Sequence, residues 1–435
     1  MKDWIKSNKK RILSDLEEFI KIKSVQTQPK KNKPFGEGVD EALKFILNYA
    51  EKLGFKTKNL DNYIGYADWG EGSEMLGILC HVDIVPEGSG WDTDPYKMEI
   101  KDNKIIGRGV LDDKGPTILI LNAVKYLMEN DVYSNKKIRI IFGTNEESGW
   151  KGIEYYLENE KEPDIAFTPD AEFPVIFAEK GILHFKLKSD FKNDDIKEIK
   201  GGNAPNMVPN EAYAVVKNKF KFKNIKDIEI IEKGNVVKIK AHGTSAHAST
   251  PQLGDNAISK LINYLNNYIK DPFLEFYKDK IGLLYNGENI GVGFEDEISG
   301  KLTFNTGIVD NQGVVVDIRY PVFVDKGQIE KNIKNNLEKN IKYEEMAHKN
   351  PLHVSKDSDL VQELMIVYND IMEDNKTPIA IGGGTYARAV KKGVAFGPLF
   401  PKQEEVAHQA NEYFEKDKFF KSLEIYIKGI KKLIN

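Results

Sequence analysis

The chain has 435 residues, 40% of them hydrophobic, which is enough apolar material for two cores and too much length for one ordinary core. Its 63 basic and 67 acidic residues leave a formal net charge of −4, so no global field recommends nucleic acid or an anionic membrane as partner, and a small-molecule partner is expected. A single cysteine, Cys80, excludes an internal disulfide and points to a reducing compartment.

Amphipathic patterns predict helices near 2–24 and 38–53, then strands near 54–60, 63–69 and 74–83. The N-terminal stretch MKDWIKSNKKRILSDLEEFIKI carries charges at helical spacing and lacks a signal-peptide core. No stretch approaches ~18 uninterrupted apolar residues, so a cytoplasmic protein without membrane association is expected. A helix at 113–130, a strand at 136–143, a helix at 149–159 and a strand at 163–168 follow. This alternation argues an α/β fold with a mainly parallel sheet flanked by helices.

From about residue 181 the pattern changes to lysine-rich alternating strands, ILHFKLKSDF, EAYAVVKNKFKF and GNVVKIKAHG, followed by a helix at 255–270. A second set, KLTFNTGIVD, GVVVDIRYP and a helix at 326–341, repeats the order strand, strand, helix. A helix at 357–373, strands TPIAI and GVAFG and a long final helix then resume the α/β pattern. The expected organisation is one domain split between 1–180 and 353–435, interrupted at 181–352 by an α+β domain with two similar halves.

Ligands gather at the carboxyl ends of strands in such sheets, and five places put metal-ligand residue types there. They are His81 and Asp83 after an apolar run, Asp112 and Asp113 in GRGVLDDKGP, Glu146 and Glu147 in GTNEESG, Asp170 in FTPDAEFP, and His408 in EEVAHQANEY. Imidazole mixed with several carboxylates suits zinc, manganese or cobalt, and a two-metal site needs a bridging carboxylate plus about two ligands per ion. Cys80, next to His81 in a strand, faces the opposite side and is expected to be a buried apolar residue.

The motifs HVDIVP, GRGVLDDKGP, EESG, PDAE and the late AH resemble, in order and along nearly the whole chain, those of the co-catalytic metallopeptidases that include aminoacylases and glutamate carboxypeptidases, metallopeptidase family twenty. Within it, GWDTDPYKMEI, GTNEESGWKGIEYYL, DAEFP, GGNAPNMVPN and GTSAHAS look most like the PepV-type dipeptidases. The resemblance implies that Asp112 bridges two divalent ions, with His81 and Asp170 completing one and Glu147 and His408 the other. It implies a cis peptide after Asp112, and Asp83 as the carboxylate that holds the His81 ring from behind. Glu146 would take the proton of a metal-bridging water and return it to the leaving amine. In the inserted domain, expected to act as a lid, His247 would donate to the oxyanion, with Asn206 and Arg319 binding substrate. Gly384 and Thr385 in GGGTYAR would hold a substrate carboxylate; that loop lacks the lysine of a phosphate cradle.

The expected activity is therefore a two-metal dipeptidase acting on short peptides with a free N-terminus. The competing reading is an N-acyl amino acid amidohydrolase of aminoacylase or desuccinylase type, using the same metals but an apolar slot where a dipeptidase needs acceptors for an ammonium. A metal-stabilised binding protein would have no use for Glu146 beside Glu147. Basic residues are dispersed, so no nucleic acid is expected, and the resemblance implies a monomer with a homodimer as the alternative. His184, His242, His348 and His353 match no catalytic position and are expected to be structural or exposed.

Overall fold

The computed structural model describes residues 1–189 and 193–435. They form two compact units, one comprising Met1–Phe177, Val354–Ile379 and Thr385–Asn435, the other Ala178–His353 and Ala380–Gly384. The short return Ala380–Gly384 to the second unit has no signature in the sequence pattern.

In the first unit, strand Met75–His81 is buried at every residue, which is what a continuous apolar run means when both faces of a sheet are covered. It pairs in parallel with Lys137–Gly143 on one side and Ile165–Thr168 on the other, and Ile165–Thr168 pairs in parallel with Gly393–Ala395. The flanks are antiparallel: Ile64–Trp69 runs against both Lys56–Leu60 and Lys137–Gly143, and Ala395 pairs with Ile176. The sheet is thus mixed, where a mainly parallel one was expected. For the first of these pairs the cause is local, because Asp61 and Asn62 in the link after Leu60 take left-handed φ of 51° and 61°. So short a link makes only a hairpin, since a parallel return needs a crossover of about a dozen residues.

Helix Lys114–Glu129 is buried continuously from Lys114 to Val124 and packs against the final helix Lys416–Leu433. The early and late chain segments are also joined by an aromatic cluster. Phe173, fully buried, lies 5.4 Å from the Tyr368 ring, 4.9 Å from Phe396 and from Phe400, and 6.0 Å from Tyr426.

In the second unit the described residues form an eight-stranded antiparallel sheet in the order Ile228–Lys233, Val236–His242, Glu211–Lys217, Ile196–Gly201, Thr303–Asp310, Gly313–Tyr320, Gly181–Lys188, Lys342–Lys349. Two four-stranded runs meet at one pairing, Gly201 with Val309. Period-two alternation sends Leu183, Phe185 and Leu187 into a core shared with helices Ala257–Leu265, Pro272–Lys280 and Lys326–Asn335. The helix expected over 255–270 stops at Leu265, and a second begins after Asp271, whose carboxylate accepts from the Phe273 and Leu274 N–H groups. The Asp-Pro pair is a legible start signal. Strands Ile196–Gly201 and Ile228–Lys233 were not anticipated, and the end of the strand expected over ILHFKLKSDF lies outside the described residues.

Phe173→Ala removes the ring that four aromatic partners enclose. The expected result is a loss of about 3–5 kcal/mol from the first unit, read as a lower urea midpoint with its slope unchanged.

Candidate active site

Register in the first unit brings the ligand-type residues together. His81, the last residue of its strand, is level with Gly143, and the turn that follows Gly143 carries Glu146 and Glu147. Ile78 is level with Phe167, and Asp170 follows two residues after that strand ends at Thr168, near the end of the strand that carries His81. Two loops, around residues 107–113 and 401–412, add Asp112 and His408.

The fully buried His81 places Nε2 3.0 Å from Asp112 Oδ1 and 3.5 Å from Asp170 Oδ2. His408, half exposed, places Nε2 2.8 Å from Asp112 Oδ2 and 3.1 Å from Glu147 Oε1. Each oxygen of Asp112 therefore faces a different imidazole. His81, Asp112 and Glu147 offer ligand atoms within 4.8 Å of one another, and so do His81, Glu146 and Asp170. His81 Nε2 and Asp112 Oδ1 are both buried and, despite lying 3.0 Å apart, make no hydrogen bond. Buried polar atoms left without a hydrogen-bond partner call for another partner, and a donor set of imidazole and carboxylate suits a divalent ion of the zinc, manganese or cobalt kind.

The charges agree. Although burial opposes it, Asp112, Asp170 and Asp83 hold the His81 proton well above the imidazole range, and Asp112 and Glu147 do the same for His408. Burial opposes ionisation of Asp112 too, yet His408 and His81 keep its carboxyl well below its usual value. Glu146 is pushed up to about 8, chiefly by burial, with Asp170, Glu147 and Asp83 adding to the rise. Glu147 is raised by burial and then by Asp112. Two imidazolium groups are too little positive charge for the carboxylates gathered here.

Asp83 meets both the His81 ring and the turn that carries Glu146 and Glu147. Its carboxylate accepts the backbone N–H groups of Glu146 at 3.1 Å and Glu147 at 3.2 Å. It is the Asp83 carbonyl that lies 3.0 Å from His81 Nδ1, with carboxylate Oδ1 at 3.6 Å. A carbonyl can only accept, so in the neutral ring the proton sits on Nδ1 and the Nε2 lone pair faces Asp112 and Asp170. The Asp112–Asp113 peptide is cis, as the resemblance implied.

Sequence reasoning missed Glu412. Fully buried, it accepts with Oε1 from the N–H groups of Gly109 (3.0 Å), Leu111 (2.9 Å) and Asp112 (3.3 Å), and with Oε2 from Arg108 Nη1 (2.6 Å). It ties the loop bearing His408 to the loop bearing Asp112. Its position four residues after His408 was the available signal.

The second unit carries its own cluster. Asn206 and His247 lie on adjacent exposed loops, where the Ala248 N–H donates to the Asn206 carbonyl at 2.9 Å and Met207 bridges to His247. Nearly buried Asn305 and Thr303 anchor these loops: Asn305 Nδ2 donates to the Met207 carbonyl (2.8 Å) and the Thr303 hydroxyl to the Ala248 carbonyl (3.1 Å). Arg319, 4% exposed, is gripped by buried Asp317 through Nε (2.7 Å) and Nη2 (2.8 Å), and His184 Nε2 lies 2.7 Å from the same carboxylate. Arg319 Nη1 reaches the Gly382 carbonyl at 3.4 Å, and a Cβ on Gly382 would sit 2.8 Å from that of Ser249, so the glycine permits this close passage. Gly384 belongs to this unit. Thr385 belongs to the first, where its buried hydroxyl oxygen caps the turn Tyr386–Ala389 by accepting from the Ala387 N–H at 3.3 Å.

This fold and carboxylate–imidazole cluster define a metallohydrolase class. Residues 77–432 match the model of peptidase family M20/M25/M40, to which the chain belongs. A Bacillus subtilis (strain 168) protein named "Putative dipeptidase YtjP" is 38% identical over 456 residues, 98% of this chain and 97% of that one. A Staphylococcus saprophyticus protein with the same kind of name is 37% identical over 464 residues, 99% of each chain. Human carnosine dipeptidase 1 shares the fold with a TM-score of 0.63 at 13% identity, over 99% of this chain and 98% of that one. Among the described residues no helix is long and apolar enough to cross a membrane.

Zinc or manganese is expected to raise the first unit's unfolding temperature and a chelator to lower it. Because the carboxylates keep both imidazoles protonated in the ion-free protein, uptake should release protons, and apparent affinity should weaken as pH falls. Calorimetric titration in two buffers of different ionisation enthalpy measures the release.

Proposed function

We propose that the protein is a metal-dependent dipeptidase that hydrolyses short peptides with a free N-terminus. The observation that carries the reading is Asp112 set between two imidazoles, one facing each oxygen. Asp112 would bridge two divalent ions, with His81 and Asp170 on one, Glu147 and His408 on the other. Zinc suits this donor set best, with manganese and cobalt also compatible. Bound there, the ions would polarise the substrate carbonyl and ease deprotonation of a water. The dipeptide preference follows the names of the relatives at 38% and 37% identity.

The chain's own residues do the rest. Glu146 takes a proton from the attacking water and delivers it to the leaving amine. Asp83 keeps the Glu146 and Glu147 backbone in place and sets the His81 tautomer. The second unit acts as a lid over a split catalytic domain, bringing His247 to donate to the oxyanion. Asn206, Arg319 and Gly384, with Thr385, position the substrate and its carboxylate. Asp317 spends two of the Arg319 donor groups, so Arg319 acts as an oriented fork rather than a mobile charge.

Metal analysis of the purified protein, then hydrolysis of free dipeptides beside matched N-acetyl amino acids and a decapeptide, tests the reading. Faster turnover of N-acetyl amino acids would instead make the protein an amidohydrolase. Glu146→Gln keeps shape and loses the acceptor charge. It should retain its metal while kcat falls by about 10²–10⁴, and unchanged turnover would remove Glu146 from the mechanism.

A further inference from the structure

Glu146 and Glu147 are chemically identical neighbours, and what surrounds them must separate their roles. Glu147 faces His408 at 3.1 Å, whereas Glu146 Oε1 accepts a hydrogen bond from the Trp150 indole Nε1–H at 3.0 Å. Trp150 is an unexpected residue for its place in the chain. It caps helix Lys151–Asn159 with φ 67° and ψ 8°, left-handed values that glycine adopts freely and a bulky side chain rarely does. Asn145 enforces the turn: its carbonyl accepts the Trp150 N–H at 2.7 Å and its side-chain oxygen accepts the Lys151 N–H at 3.0 Å. This left-handed turn accompanies the donor at Glu146. The ring packs edge-on against the buried Tyr386 at 5.6 Å, and Tyr386 fits there because position 143 is glycine, whose Cβ would stand 2.4 Å from the Tyr386 hydroxyl. Backbone strain of this kind persists where surrounding structure enforces it and clusters at functional sites.

We propose that Trp150 is a positioning residue for Glu146, its indole N–H engaging Oε1 and orienting the carboxylate so that Oε2 handles the proton. The proposal rests on the reading of Glu146 as the proton acceptor. Trp150 acts through Glu146. It restricts rotation of a carboxylate that already lies beside His81 and Asp170, with which it offers ligand atoms within 4.8 Å of one another. The indole thereby keeps the first glutamate of the pair for proton transfer while the second faces His408.

The test uses the metal-loaded full-length protein and a free dipeptide such as alanylalanine. Trp150→Phe keeps an aromatic ring against Tyr386 and deletes the donor. It is expected to lower kcat by about 10–100-fold, the range for loss of one hydrogen bond to a charged group, with KM and metal stoichiometry unchanged. In a Glu146→Gln background the same substitution should have little further effect, because its target function is already gone. Wild-type kcat in Trp150→Phe, an equal loss in both backgrounds, or a loss of metal would overturn the proposal. If Trp150→Phe does not fold, benzothienylalanine at position 150, which replaces the N–H by sulfur in a ring of the same shape, decides between the same outcomes. The two readings fail separately: an active Glu146→Gln sinks the proton-acceptor assignment, whereas an inactive Glu146→Gln beside a fully active Trp150→Phe sinks only the role of the indole.

Discussion

The active-site cluster depends on the hydrogen-bonded register of three neighbouring parallel strands. Parallel pairing makes Met75–His81, Lys137–Gly143 and Ile165–Thr168 run toward the same edge, and pairings such as His81 with Gly143 and Ile78 with Phe167 set where each stops. The ladder continues past the strand ends, since the Val82 N–H donates to the Gly143 carbonyl at 2.8 Å. Slippage by one residue on any strand would turn its terminal side chains to the opposite face. The cluster thus inherits its precision from backbone hydrogen bonds made deep in an apolar sheet.

Crowding carboxylates at that edge raises an electrostatic cost, and the structure meets it with backbone donors as well as cations. Asp83 accepts two N–H groups from the Glu146–Glu147 turn, and Glu412 accepts three from the Gly109–Asp112 loop while paired with Arg108. These carboxylates are satisfied at the back of the site, leaving Asp112, Glu147 and Asp170 to converge at its front. Asp317 does comparable work in the second unit, where His184 and Arg319 share one buried carboxylate. His184 accordingly has a structural role in orienting Arg319, a role visible in the alternation of VDIRY once the strand is paired with Gly181–Lys188.

Much of the fold was legible because burial leaves periodicity in the chain. The apolar run ending at His81 reads as a doubly covered strand, and the alternation in GILHFKLK reads as a half-buried one. What failed to show had local or distant causes. The antiparallel edge follows from the short link at Asp61–Tyr63, a signal present in the sequence and underweighted. Ile196–Gly201, IKEIKG, has too little apolar alternation to mark it, whereas Ile228–Lys233, IEIIEK, alternates at Ile228 and Ile230 over only six residues. Glu412 carried one signal, its place four residues after His408, but its burial depends on Arg108, 304 positions away.

The sequence by itself determined which residues have the chemistry, because imidazoles and carboxylates after apolar strands are visible without a partner. It also carried the order of motifs that marks the family. Tertiary structure decided how those groups face one another: Asp112 between two imidazoles, the Asp83 carbonyl rather than its carboxylate at hydrogen-bond distance from His81, and an indole against one glutamate but not its neighbour. The physical reason is that residue type sets which bonds a side chain is able to make, while the choice among them depends on distances of a few tenths of an ångström. Those distances are set by strand register, by left-handed backbone at Trp150, and by loops that meet only after the chain has folded.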